Sequence, residues 1–252
     1  MTEELRSRQS AQVRFFRELA READARRENG LYLCDGEKLL QEALRSNAAV
    51  CHVLWRERRI PGYGEFEREY LLPSELFDYV SPLKNSPGPL FSVRMKADAA
   101  PEKAGRLLLL EEIQDPGNVG TILRTADAFD VDAVILLDGC ADVYAPKTVR
   151  AGMGAVFRQK VLRMTLPEAV SYCRAQKLPL YGAALSPRAR DLRTLRLNRA
   201  AVAIGSEGHG LSAELLSRCD GEVIIPMSGA AESLNAGVAA AIVMWEMCRQ
   251  EA

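Results

Sequence analysis

Histidine is scarce, with only His52 and His209, and the six cysteines (Cys34, Cys51, Cys140, Cys173, Cys219, Cys248) stand apart with no CxxC pair. That scatter offers neither metal-ligand spacing nor a disulfide framework, so no metal and no disulfide scaffold are expected. Positive charge is not in excess either. The formal net charge is −1, so any hold on nucleic-acid phosphate must come from local patches and not from an overall field. Long apolar runs are missing: the longest, Val238 to Trp245, falls well short of the roughly 20 residues of a membrane-spanning helix. The opening MTEELRSRQS is polar and lacks the apolar centre of a signal peptide. A cytoplasmic protein without a membrane partner is expected. Neither half carries a GxGxxG after its first strand, and no phosphate-loop lysine is present, which argues against a dinucleotide-dependent enzyme.

What is present is ordinary globular material, 48% hydrophobic and 27% charged over 252 residues, enough for one large domain or two smaller ones. Residues from about Glu3 to Ala25 place Leu5, Val13, Phe16, Leu19 and Ala20 at mostly helical spacing, an amphipathic helix with an arginine-rich polar face balanced by Glu18, Glu22 and Asp24. Beyond Asn29-Gly30 come strand readings at Leu31–Cys34 and Val50–Trp55, a helix at Gly36–Arg45, and a strand and short helix within Tyr70–Val80. This portion, residues 1–95, reads as a compact α/β domain. The segment 96–104, KADAAPEKA, has the composition of a linker. From 105 to 252 the apolar runs Leu107–Leu110, Ala133–Leu137, Leu178–Leu185, Ala201–Ile204 and Val223–Ile225 suit strands of a parallel sheet covered by helices on both faces.

Three segments carry chemistry. In the first, a buried strand runs into Asp115-Pro116-Gly117-Asn118, and a helix follows with Val119, Ile122, Leu123 and Ala126 on its apolar side. Asn118 is placed to cap it, and Arg124 sits one turn beyond a strand end, facing the crevice where α/β sheets bind ligands. In the second, the strand Ala201–Ile204 ends in Gly205-Ser206-Glu207-Gly208-His209-Gly210, a turn that lets backbone approach a ligand closely, with Glu207 disfavouring a bare polyphosphate. His209 reads as a polar loop residue. In the third, Val223–Ile225 leads through a small-residue loop to an alanine-rich helix, with Ser233 and Asn235 competing to cap it.

The order and spacing of these segments resemble the three motifs of the SpoU branch of the SPOUT RNA methyltransferases: N-x-G-x-x-x-R at Asn118–Arg124, I-G-S-E-G-x-G-L-S at Ile204–Ser212, and I-P-M with E-S-L-N between Ile225 and Asn235. The stretch Pro146–Ala155 is similar to the family's segment between its first two motifs. Resemblance covers residues 105–249. The first half is similar to the ribosomal-protein-like substrate-binding domain that precedes many members, on the strength of Arg27–Leu40, although Cys34-Asp35 and the loop Lys84–Pro89 depart from its usual form.

The resemblance implies a C-terminal parallel sheet closed by a deep trefoil knot, an exception to the rule against threaded chains. It implies S-adenosylmethionine as cofactor, contacted through the backbone at Gly205, Ile225 and Leu234 and packed by Met227 and Leu185. It also implies a homodimer through the C-terminal domain, and methyl transfer to a ribose 2′-hydroxyl of structured RNA, rRNA ahead of tRNA. Arg124 is the residue expected to matter most, with Asn118, Glu207, Ser233 and Asn235 around it. The alternative is a non-catalytic RNA-binding protein related to ribosomal proteins, in which these five residues would have no common purpose.

Overall fold

A computed structural model describes residues 2–97, 99–206, 208–228 and 233–249. The chain divides into two compact units, one of residues 1–97 with 142–157, the other of 98–141 with 158–252.

In the first unit, β1 (Thr2–Glu4) precedes α1 (Ala11–Arg21) and α2 (Ala23–Asn29), followed by β2 (Leu31–Asp35), α3 (Glu37–Arg45), β3 (Val50–Arg56), β4 (Arg68–Leu72), α4 (Ser74–Val80) and β5 (Leu90–Arg94). The single helix expected over 3–25 is thus corrected. Its first residues pair as a strand along β4, Thr2 opposite Glu69, and the Ser10 hydroxyl accepts from the Val13 N–H to start α1. Extended backbone at Glu22 (φ −106°, ψ 120°) then separates α1 from α2. The buried set Val13, Phe16, Leu19 and Ala20 is the one its spacing indicates. The sheet runs β1-β4-β3-β5-β2, parallel through β1, β4 and β3 and antiparallel from β3 through β5 to β2.

Residues 142–157 complete this unit although they follow the linker. Their helix is α6 (Pro146–Gly152). Arg26, 4% exposed, donates to Asp142 Oδ2 through Nε and Nη2 at 3.0 and 2.8 Å. Val149, Val156 and Phe157 pack with Tyr32, Cys34 and Phe91, and the Tyr32 and Tyr144 rings lie 4.7 Å apart.

The second unit contains β6 (Arg106–Leu110), α5 (Pro116–Ala128) and β7 (Ala133–Leu136); α6 (Pro146–Gly152) follows in sequence, then β8 (Val161–Arg163), α7 (Leu166–Ala175), β9 (Leu180–Ala183), β10 (Arg190–Asp191), β11 (Ala200–Ile204), α8 (Ala213–Arg218), β12 (Gly221–Ile224) and α9 (Ala236–Arg249). The strands form one sheet ordered β10-β12-β9-β11-β6-β7-β8, and every pairing in it is parallel. Central strands β6, β7 and β11 are buried along nearly their whole length, as continuous apolar runs covered on both faces require. The apolar-run reading covered β6, β7, β9, β11 and β12 but not β8 and β10. These are short edge strands, with one neighbour each, and carry too few apolar residues to stand out. No described helix is long and apolar enough to cross a membrane.

Candidate active site

The C-terminal ends of the adjacent strands β12, β9 and β11 open onto a cavity of about 550 Å³, which the N-terminus of α9 also borders. Ligands of open α/β sheets collect at strand C-termini. Its walls include Leu185, Gly205, Ile225, Met227, Ser233 and Leu234. Leu185 is 62% exposed and Met227 36%, large apolar side chains standing at the mouth of an apolar cleft.

Gly205 is where the wall tolerates no side chain. A Cβ there would lie 2.2 Å from the carbonyl carbon and oxygen of Gly210, because the loop folds back on itself: the Gly210 N–H donates to the Ser206 carbonyl at 2.9 Å. The loop is fastened at its far end by Glu111, just past β6. Ser212 donates its N–H and its hydroxyl to the two Glu111 oxygens, each at 2.7 Å, while the same hydroxyl oxygen accepts from Leu215 N–H to cap α8. Sequence reasoning missed Glu111. A carboxylate directly after a buried strand was the available signal, but its partner lies 101 residues away.

The caps differ from expectation in an informative way. Asp115, not Asn118, caps α5: its Oδ1 accepts from the Asn118 N–H at 3.0 Å. Because α5 already begins at Pro116, the capping position falls on Asp115 and Asn118 lies inside the first turn, with its side chain not used for the cap. Asn235 Nδ2 donates to Asn118 Oδ1 at 3.0 Å. At the same time Asn235 Oδ1 accepts from the Gly237 and Val238 N–H groups at 2.9 and 3.3 Å. Asn235 therefore wins the cap of α9 over Ser233, and the starts of α5 and α9 are bound together. Gly237 permits this approach, since a Cβ on it would sit 3.1 Å from Asn235 Oδ1 and 3.4 Å from Thr121 Cγ2.

Arg124 follows Asn118 and Thr121 at three-residue intervals, along the exposed side of α5. Among the described residues it makes no hydrogen bond or ion pair, whereas Arg26, Arg56, Arg59, Arg158 and Arg249 all hold carboxylates. Glu207 lies outside the described residues.

The two thiols behind the cavity's sheet are held protonated. Burial pushes the Cys219 thiol behind Gly182 up to about 12 and the Cys173 thiol up to about 11, so neither is a thiolate near neutral pH. Among the described residues no group of three or more His, Cys, Asp or Glu side chains is disposed to hold a metal ion.

Residues 105–245 match the model of the SpoU rRNA Methylase family. The chain belongs to that family. It is 37% identical over 224 residues, 88% of this chain and 90% of the relative, to the 23S rRNA (guanosine(2553)-2′-O)-methyltransferase RlmP of Bacillus subtilis. The AdoMet-bound rRNA methyltransferase of Sinorhizobium meliloti superposes with a TM-score of 0.87 at 25% identity, over 100% of this chain and 99% of that one. The SpoU methyltransferase AviRb of Streptomyces viridochromogenes, in complex with the cofactor AdoMet, gives a TM-score of 0.85 at 26% identity, over 96% and 98% of the two chains. These relatives thus align with both units and not only with the matched region.

Proposed function

We propose that this SpoU family member transfers a methyl group from S-adenosylmethionine to a ribose 2′-hydroxyl of structured RNA, rRNA ahead of tRNA. One observation carries the reading: the strand-end cavity shares its border with a helix start that is hydrogen-bonded to Asn118 of α5, the helix on which Arg124 stands, unpaired among the described residues. The name of the Bacillus subtilis relative and the AdoMet-bound structures support it.

The cavity fits such a donor. Its volume lies within the roughly 300–1,000 Å³ of small-molecule sites; Gly205, Ile225 and Leu234, all in its lining, contact the donor through their backbone, and Leu185 and Met227 pack against it. When bound, S-adenosylmethionine supplies a methyl group already activated on cationic sulfur. The protein has then to place the hydroxyl in line, keep water out and hold the neighbouring phosphate, and positioning of this kind accounts for large rate factors.

Arg124 clamps the RNA phosphate with two parallel hydrogen bonds. A guanidinium keeps its proton at ordinary pH, so Arg124 does not act as the base, and phosphate or solvent takes the proton of the hydroxyl. Asn118, Asn235 and Ser233 shape the place where the ribose sits, and Glu207 is an orienting acceptor for Arg124 or Asn118. Arg124→Lys keeps the charge and loses the fork; methylation of RNA by that variant falls by about tenfold or more, and an unchanged rate removes the clamp. Calorimetric titration of the folded protein with S-adenosylmethionine tests the whole reading, since no binding favours the non-catalytic alternative.

The finer features belong to the same proposal. The C-terminal stretch threads a trefoil knot, and the first unit selects the RNA. The chain pairs as a homodimer through its C-terminal domain, for which the exposed Val238 and Trp245 on α9, 48% and 55% exposed, are suitable.

A further inference from the structure

The first unit contains a second cavity, of about 440 Å³, between α1 and the strands β3 and β4. Its lining is unlike that of the strand-end cavity. Phe15, half-buried, meets the half-buried His52 edge-on with ring centroids 6.0 Å apart. His52 in turn lies nearly parallel to Tyr70, at 6.2 Å and 27°. Gln12, Arg68 and Arg94 complete the rim, with Glu67 as its one carboxylate.

Two features go beyond a packing gap. Arg68 and Arg94 are exposed and make no side-chain hydrogen bond or ion pair among the described residues. Arg14, Arg21 and Arg58 of this unit are likewise exposed and unpaired among the described residues, whereas Arg6, Arg26, Arg27, Arg45, Arg56 and Arg59 hold carboxylates; what sets Arg68 and Arg94 apart is that both line one cavity. Two free guanidiniums converge on one aromatic-walled opening, although Glu67 stands beside them. Furthermore, His52 Nδ1 is bonded to the Ser92 hydroxyl at 2.7 Å, which fixes the ring and leaves Nε2 for another partner. Burial first, and then the charge of Arg68, hold the imidazole below its ordinary pKa, so near neutral pH it is an uncharged ring with one donor and one acceptor nitrogen.

We propose that this cavity receives one unstacked nucleobase of the RNA, with Arg68 and Arg94 on the phosphates flanking it. The inference rests on the RNA-methylating reading of the chain and deepens it. Single-stranded RNA is recognised by bases splayed onto aromatic side chains and hydrogen-bonded at their edges. Phe15 and His52 provide ring surface, His52 Nε2 and the Gln12 amide provide edge partners, and the unpaired arginines provide the backbone contacts that fix register.

The test uses the full chain. Because His52 and His209 are its only histidines, ¹⁵N-histidine labelling gives two pairs of imidazole nitrogen signals, assigned with His209→Gln. Titration with the four ribonucleoside 5′-monophosphates is expected to shift the His52 signal, while inorganic phosphate at equal concentration does not. An equal shift with inorganic phosphate reduces the cavity to an anion site and overturns the base assignment; no shift with any probe overturns it as well. In parallel, methyl transfer from labelled S-adenosylmethionine to rRNA from cells lacking the protein is measured for the double variant Arg68→Ser, Arg94→Ser. Its KM for RNA rises about tenfold with kcat held within about twofold, and its log–log salt slope falls by about two. Unchanged KM and slope, with the parent active, defeat the base pocket alone and leave a protein partner as the occupant to seek. A parent that methylates no RNA while His52 still responds to nucleotides defeats the methyltransferase reading instead.

Discussion

Two cavities of this protein, the strand-end one and the aromatic one, are built by opposite means. The one at the strand ends of the second unit is walled largely by loop backbone and apolar residues, with Gly205 in contact with Gly210 main chain. The one in the first unit is walled by aromatic rings and charged tips from α1, β3, β4 and β5. Backbone walls are spoiled by adding atoms, because main chain cannot rotate away; side-chain walls are spoiled by removing or recharging them. The contrast orders the perturbations from severe to slight.

Gly205→Val is expected to be the most severe. With Gly210 main chain 2.2 Å from the new Cβ position, the loop has to refold. Binding of S-adenosylmethionine drops by about a hundredfold, the upper end of an overpacking penalty, read by calorimetry on protein whose near-ultraviolet dichroism shows retained tertiary structure. A variant that binds normally breaks the contrast at its stronger pole. Next, Asn235→Ala removes a cap and the bond to Asn118 together. About 1 kcal/mol of stability goes with the cap, a fall of about 2–4 °C in Tm for a chain of this size, together with a loss of activity that a purely structural cap would not produce. Asn118→Ala keeps the cap, so comparing the two variants separates the contributions.

The mildest effect belongs to the first unit and depends on pH. Burial alone would raise the Glu69 carboxyl, but hydrogen bonds from Arg59, Trp55 Nε1 and the Phe66 N–H outweigh it and hold the group below its ordinary value. A lowered carboxylate pKa contributes stability above the unfolded value, about 4.3, and loses it as pH falls through the folded one. The melting-temperature gap between the parent and Glu69→Gln should therefore narrow from pH 7 to pH 3. A constant gap assigns Glu69 a shape role only.

Much of the second unit was legible because its determinants are local: uninterrupted apolar runs for buried parallel strands, glycine where main chain meets main chain, amides at helix starts. The same locality explains the errors. Asn118 looked like a cap because Pro116-Gly117 precedes it, yet Asp115 already occupied that position, and only the partner 117 residues away revealed what the freed amide does. Likewise the first residues of the chain carry helical spacing, but hydrogen bonds to β4 turn Thr2–Glu4 into a strand. The aromatic cavity was illegible for the same reason, since no window of sequence contains Phe15, His52, Tyr70 and Arg94.

The return of residues 142–157 to the first unit also governs how the molecule can be made. Translation releases Ala97 some 60 residues before Phe157, an interval of about 3–12 s at ordinary elongation rates. Throughout it Tyr32 and Phe91 lack the neighbours Val149, Val156 and Phe157 that finally cover them. The nascent first unit therefore waits, apolar surface uncovered, for a segment encoded inside the second, and neither unit is a cassette that a single crossover could exchange.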